Sequence, residues 1–508
     1  MSMKVGTAGC CAVLLAAVLS AQVAPSAAAC EHLSSLTLPS TTITLAATVP
    51  AGGLTLPAGA GGGLALRALP AFCRVAATLT PTPDSDIKIE VWLPVSGWNG
   101  KFEAVGNGGW SGSISYPAMS QALIRGYATS STDTGHTGGS ASFALGHPEK
   151  LIDYAYRSEH EMTVKAKAIL SAFYSQSLKH SYWNGCSAGG KQALKEAQRF
   201  PDDFDAIIAG APASNWTGRA AQSLWVNQAV HKDEASNIPA SKYPVIHDAV
   251  LEACDAADGV KDGVLEDPTR CAFDPVALLC KGADGPACLT APQVAAARTI
   301  YSPVTNPRTK QVIFPGPERG SELGWATMAG PQPFAIGVDH FKYVVFKDPS
   351  WDPKTINFDS DYALAEKVDD GNINALDPNL RLFFAHGGKL IQYHGWSDPQ
   401  ISPGSSVSYY KSVVDALGSA SHISDSYRLF MVPGMAHCSG GEGTSTFDML
   451  SALEQWAELG RVPNSIVASR VTNGKVERTR PLCPYPQVAT YRGTGNTDDA
   501  ASFTCRAR

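Results

Sequence analysis

The chain has 508 residues, of which 44% are hydrophobic and 17% charged, and its formal charge is −6. That length supports a substantial core and exceeds one minimal domain, and the balance is that of a folded globular protein rather than a disordered one. Neither the net charge nor any Lys/Arg run gives the basic footprint of a nucleic-acid binder.

In chain order the first segment is a leader. Lys4 precedes the small, apolar run from Val5 to Ala21, and Ala27-Ala28-Ala29 offers an A-x-A-like cleavage site, so residues 1–29 read as a secretory signal. A membrane anchor fits less well, because the run is short and no charged stop follows it. A lipoprotein reading of Cys30 lacks the large apolar residue expected before it. Export, to the periplasm or to the medium, leaves no membrane segment and ten cysteines: Cys30, Cys73, Cys186, Cys254, Cys271, Cys280, Cys288, Cys438, Cys483 and Cys505. An even count in an exported chain points to disulfides, and no C-x-x-C pair or Cys/His cluster suggests zinc.

Residues 30–213 read as the first part of an α/β catalytic domain. Residues 30–85, rich in Thr, Ala, Gly and Pro, predict short strands and loops. Ile87 to Pro94 alternates as a half-buried strand does, and Lys101 to Gly106 reads as another. The glycine-rich Gly106-Asn107-Gly108-Gly109-Trp110 follows it directly. Ser131-Thr132-Asp133-Thr134-Gly135-His136 reads as a loop, with His136 ordering it. Glu159 to Tyr174 reads as a helix, Ser181 to Asn184 as a strand, Lys191 to Ala197 as a helix and Phe204 to Gly210 as a strand. Such alternation predicts a parallel sheet with helices on both faces.

From 214 to 380 the rhythm breaks: four cysteines, many Pro and Gly, and little sustained periodicity predict an inserted lid. Within it Cys254-Asp255-Ala256-Ala257-Asp258-Gly259-Val260-Lys261-Asp262-Gly263-Val264 carries three aspartates and glycine turns. Its spacing is not that of an EF-hand, and on residues alone it is either an Asp/Gly turn or a hard-oxygen cation loop. Residues 381–508 return to the catalytic domain, with strands at Lys389–Gly395 and Tyr427–Val432, each running into a polar loop.

The chemistry gathers on three of these loops. Gly185-Cys186-Ser187-Ala188-Gly189, between a strand and a helix, is a nucleophile elbow, in which small residues allow the turn that exposes the serine hydroxyl. Serine needs a base, and the base needs an orienting acid. In the order of an α/β-hydrolase fold the acid comes next and the histidine last; Asp398 and His437 stand just beyond the two late strands, where sites in open α/β sheets collect. Oxyanion donors are expected from the backbone N–H of Ala188 and of Gly109, with Gly108 the neighbouring choice. His394, four residues before Asp398, is a candidate pocket residue, as are Trp325, Phe341, Tyr343 and Trp351 of the lid. A bridge between Cys186 and Cys438 would tie the elbow to the histidine loop.

Cys186-Ser187, Asp398 and His437-Cys438 in this order resemble the tannase/feruloyl esterase family, secreted serine esterases that include mono(2-hydroxyethyl) terephthalate hydrolases. The resemblance spans nearly the whole mature chain and includes Gly106 to Trp110, Ser130 to His136, Gly185 to Gly190 and Gly320-Ser321-Glu322-Leu323-Gly324-Trp325. It implies an α/β-hydrolase fold with a large lid and the disulfides Cys30–Cys73, Cys186–Cys438, Cys254–Cys271, Cys280–Cys288 and Cys483–Cys505. It also implies a structural calcium held by side chains of Asp255, Asp258 and Asp262 and by carbonyls of Val260 and Val264. The implied substrate is a small aromatic ester, free or attached to plant cell-wall polysaccharide: feruloyl first, with galloyl or terephthalate monoesters as alternatives. A reading of another class, a non-catalytic surface-binding protein on a hydrolase scaffold, is opposed by the complete Ser/Asp/His set.

Overall fold

In the computed structural model, residues 2, 27–56, 66–174 and 176–507 are described. The expected signal segment therefore lies outside the described residues, apart from residue 2 and residues 27–29. No described helix is long and apolar enough to cross a membrane.

Nine strands form one sheet. They are β1 (Thr41–Val49), β2 (Phe72–Leu79), β3 (Ile87–Pro94), β4 (Lys101–Val105), β5 (Ala128–Thr132), β6 (His180–Cys186) and β7 (Ala206–Gly210). After β8 (Val304–Thr305) and β9 (Val312–Phe314), which pair only with each other, come β10 (Lys389–Gly395) and β11 (Tyr427–Val432). The order across the large sheet is β1-β2-β3-β5-β4-β6-β7-β10-β11. β1, β2, β3 and β5 pair antiparallel in succession, and every pairing from β5 to β11 is parallel. This is an α/β-hydrolase fold. Its central strands are short apolar runs because helices cover both faces: β7 is buried along its whole length.

The alternation read in β3 suggested one wet face, but only Lys88 of that strand is exposed. Its polar Glu90 lies inside, where it accepts hydrogen bonds from Arg74 Nε (2.9 Å), Trp92 Nε1 (2.7 Å) and Tyr116 Oη (2.9 Å). Burial of that carboxylate is tolerated because it is fully partnered.

Between β7 and β10 the chain leaves the sheet. The ends of this insertion are pinned where Ala375 N–H donates to Ser214 O (2.8 Å) and Thr217 N–H to Asn374 Oδ1 (3.1 Å). Inside it stand helices Trp216–His231, Tyr243–Cys254, Ala291–Tyr301 and Ser360–Asp369. The first shows no amphipathic period in the sequence because it is buried around most of its circumference. One apolar cluster, with Leu289, Ile300 and Trp325, belongs to the insertion alone. Another, with Trp110, Ala188, Trp216, Phe341 and Ile401, joins the insertion to the loops at the carboxyl edge of the sheet.

The ten cysteines form five disulfides: Cys30–Cys73, Cys186–Cys438, Cys254–Cys271, Cys280–Cys288 and Cys483–Cys505. The last joins the loop that follows strand Lys475–Leu482 to strand Phe503–Arg506.

Candidate active site

Three loops at the carboxyl ends of parallel strands converge. β6 ends in the elbow, where Ser187 adopts φ 65° and ψ −120°, a backbone conformation uncommon outside glycine. Ser187 N–H donates to Gly210 O (2.9 Å) at the end of β7, and Ser187 O accepts from Ala213 N–H (3.1 Å), so neighbouring strand ends hold the strained turn. The flanking glycines let backbones touch: a Cβ added to Gly106 would lie 2.5 Å from Gly189 Cα. That close approach brings the glycine-rich loop after β4 against the elbow, and Gly189 N–H donates to Asn107 O (2.8 Å).

The structure brings together Ser187, His437 and Asp398, which are distant in sequence. Ser187 Oγ lies 2.9 Å from His437 Nε2, and His437 Nδ1 lies 2.7 Å from Asp398 Oδ2. Ser187 is half-buried, His437 keeps 15% of its side chain exposed, and Asp398 is fully enclosed. Asp398 Oδ1 accepts N–H bonds from Gln400 (2.8 Å) and Ile401 (3.0 Å). Burial pushes the Asp398 carboxyl up. The charge of His437 and hydrogen bonds from His394 and His437 outweigh that, and it is held well below the usual carboxylate range. The Cys186–Cys438 disulfide, with Cα atoms 6.0 Å apart, links the residue before the serine to the residue after the histidine.

Ala188 begins the helix that follows the elbow, so its N–H is one of the donors a helix start leaves free. Across from it Gly109 takes φ 52°, its carbonyl accepting from Tyr154 Oη (2.6 Å). The next carbonyl, Trp110 O, is 2.9 Å from His136 Nε2, so His136 orders this loop. Tyr154 and Ile336 were not legible as site residues. Tyr154 sits in a π-helical turn, Asp153–Arg157, with no motif to mark it. Ile336 belongs to the insertion, yet its carbonyl accepts from Trp110 Nε1 (3.0 Å) and its Cδ1 would lie 2.9 Å from a Cβ on Gly109.

The aromatic candidates for the pocket pack in two apolar clusters, Trp325 in the insertion's own and Phe341, Tyr343 and Trp351 in the one that also holds Trp110 and Ala188. Trp325 packs edge-on against Tyr243 and Tyr301 in the insertion's own core, its indole N–H donating to Ser321 Oγ (3.1 Å). Phe341 is fully buried, and Trp351 stacks on it with ring centroids 5.8 Å apart, while Tyr343 is half-buried against the same cluster. His394 is fully enclosed against Asp398 rather than facing a pocket, because β10 points it inward beneath the acid loop.

The aspartate loop folds its carboxylates inward behind the Cys254–Cys271 disulfide. Asp255 accepts N–H bonds from Asp262 (3.2 Å) and Gly263 (2.9 Å), and Asp258 from Val260 (2.9 Å) and Glu266 (3.3 Å). Asp258, Val260, Asp262, Val264 and Glu266 border a cavity of about 20 Å³, room for one water-sized species. Burial, with Asp262 and Asp255 close by, pushes the Asp258 carboxyl up. Asp262 also pairs with Arg480. Hard oxygens crowding each other's charge around a one-ion hole fit calcium by donor chemistry.

Comparison with known proteins accords with this arrangement. The family model described as "Tannase and feruloyl esterase" matches residues 73–506. An uncharacterized esterase of Xanthomonas campestris pv. campestris is 41% identical, over 95% of this chain and 92% of its own. A probable feruloyl esterase B-1 of Aspergillus fumigatus is 36% identical, over 85% of each chain. The crystal structure of feruloyl esterase B from Aspergillus oryzae superposes with a TM-score of 0.89 at 33% identity, covering 94% of this chain and 100% of that one. A serine, histidine and aspartate in relay contact on this fold, together with these matches, make the chain a member of the tannase and feruloyl esterase family, a carboxylic ester hydrolase.

Proposed function

We propose that the protein is a secreted serine esterase that hydrolyses esters of aromatic acids, feruloyl (hydroxycinnamoyl) esters first, whether free or carried on plant cell-wall polysaccharide. The observation that carries the reading is the unbroken contact from Ser187 Oγ through His437 to Asp398. Ser187 attacks the ester carbonyl while His437 Nε2 takes its proton, then returns it to the departing alcohol. Asp398 orients the imidazole and stabilises its charge. The backbone N–H groups of Ala188 and Gly109 hold the oxyanion. Water repeats the sequence on the acyl-enzyme. The feruloyl preference is supported by similarity to the Aspergillus feruloyl esterases. Export is supported by five disulfides, which persist in oxidising compartments.

The insertion, 214–380, acts as a lid, and Ile336 lying over Gly109 supports this. Calcium would be held by the side chains of Asp255, Asp258 and Asp262 and the carbonyls of Val260 and Val264, and would supply charge neutralisation and rigidity to the lid rather than chemistry.

The test is a panel of methyl ferulate, methyl gallate and a terephthalate monoester, with wild type and Ser187→Ala. Wild type should turn over methyl ferulate with the highest kcat/KM. Ser187→Ala should lose on the order of 10⁴- to 10⁶-fold in kcat while remaining folded. Gallate or terephthalate ester as the best substrate overturns the acyl assignment alone. A tenth of wild-type rate left in Ser187→Ala overturns the mechanism.

A further inference from the structure

Asp398 is shared by two histidines. His437 Nδ1 approaches its Oδ2 at 2.7 Å from the loop after β11, and His394 Nε2 approaches the same oxygen at 3.0 Å from β10. His394 is fully buried, with Nδ1 2.7 Å from Ser406 Oγ and Nε2 also 3.0 Å from Ile401 O. These contacts fix the tautomer. Nε2 faces a carboxylate and a carbonyl, two acceptors, so it carries the hydrogen; Nδ1 faces a hydroxyl that can donate to it. One proton then satisfies every polar contact of the ring.

We propose that His394 is a positioning residue of the triad: its Nε2–H, donated to Asp398 Oδ2, holds the carboxylate in register with His437 and limits how strongly it draws a proton onto that imidazole. The proposal rests on the triad reading. With the N–H groups of Gln400 and Ile401 on Oδ1, the carboxylate has four donors and no free direction in which to swing. Anchored on β10 and braced by Ser406, His394 supplies the only side-chain donor apart from His437 among those described. The other charged group facing Asp398 is Arg219, on helix Trp216–His231 of the insertion, whose Nε donates to Gln400 O (3.3 Å).

A donor withdrawn from a carboxylate leaves more negative charge for its remaining partner, so the protonated form of His437 gains. A turnover that needs neutral His437 must then begin at higher pH. Looser aim of the imidazole lowers kcat as well, since about 1 Å of misplacement can cost roughly 10²-fold.

The experiment compares His394→Leu and His394→Gln with wild type by kcat, KM and the pH profile of kcat/KM on a p-nitrophenyl ester. His394→Leu should lose about 30- to 100-fold in kcat with KM within about twofold, and its acidic limb should move to higher pH by about half a unit or more. His394→Gln, which keeps an N–H donor near the same place, should recover most of kcat and the wild-type limb. An acidic limb in His394→Leu that coincides with wild type or moves to lower pH overturns the proposal, whatever kcat does. An upward move that glutamine fails to correct assigns the effect to packing and overturns it too. If His394→Leu does not fold, Ser406→Ala, which frees the ring without emptying the site, carries the same readout with a smaller shift in the same direction, and an unmoved limb there overturns the proposal. Ser187→Ala distinguishes the two levels: if it stays active the triad reading fails, whereas an inactive Ser187→Ala with unmoved His394 limbs removes only the role of His394.

Discussion

Tyr154 holds the Gly109–Trp110 peptide of the glycine-rich loop. Its hydroxyl donates to Gly109 O at 2.6 Å, inside a cluster where Trp110 lies against both Tyr154 and Trp216. The candidate donor, Gly109 N–H, lies on the preceding peptide, whose Gly108 O accepts from Ser111 N–H (2.9 Å); because Gly109 is glycine in the left-handed region, Tyr154 braces that donor from its other side. Oxyanion donors act because they are aimed before the charge develops, and deleting one outright costs roughly 10²- to 10³-fold. Tyr154→Phe leaves the donor present but less fixed. It should lower kcat by about tenfold with KM nearly unchanged, and stability by about 1 kcal/mol for the lost hydrogen bond. Steady-state kinetics and a melting curve check both, and an unchanged kcat would show that packing alone fixes the loop.

Strands β4 and β6 lie side by side and carry the glycine-rich loop and the elbow, and a buried carboxyl sits between them. Glu103 Oε1 accepts from Asn184 Nδ2 (3.0 Å), while Oε2 has no partner among the described residues. Burial pushes Glu103 up to about 7 from the ordinary 4.5, against the hydrogen bond from Asn184. Between those two values the folded protein keeps a proton that the unfolded chain has lost. Stability should therefore fall as pH rises from about 4.5 to about 7, and the whole penalty should remain above that. Glu103→Gln keeps an acceptor for Asn184 and cannot ionise. Its stability relative to wild type should increase from pH 5 to pH 8, by at most on the order of 3 kcal/mol. Denaturant unfolding at the two pH values measures this, and a pH-independent difference would assign the effect to another group.

Over the whole molecule, the aspartate loop couples the insertion to the carboxyl-terminal strands: Arg478 donates to Asp262 O (2.9 Å) and Arg480 pairs with the Asp262 side chain. A cation bound there stabilises only the folded state, by mass action. Chelation should lower Tm by several degrees, and Asp258→Asn should lower it similarly and abolish the response to chelator, with little change in kcat of the protein that remains folded. Protein purified without chelator that holds no calcium by metal analysis would rule the site out.

Sequence by itself determined the alternation of strand and helix, the elbow and the order Ser187, Asp398, His437. Each is written locally, in glycines that a sharp turn requires or in apolar runs that a doubly covered sheet requires. The even cysteine count was equally plain; the residues alone leave many pairings open, and the five pairs that the family resemblance implied are those the fold brings together. Tertiary structure alone decided the rest. It turned His394 from a candidate pocket residue into a partner of Asp398, since its direction depends on the pleat of β10 and the path of the acid loop. Trp325 went into the insertion's core, and helix Trp216–His231 carries no amphipathic period because burial on most faces erases the pattern that marks a surface helix. Tyr154 and Ile336 reach the site from segments without any motif, because contact across a folded surface is set by packing and not by neighbours in the chain.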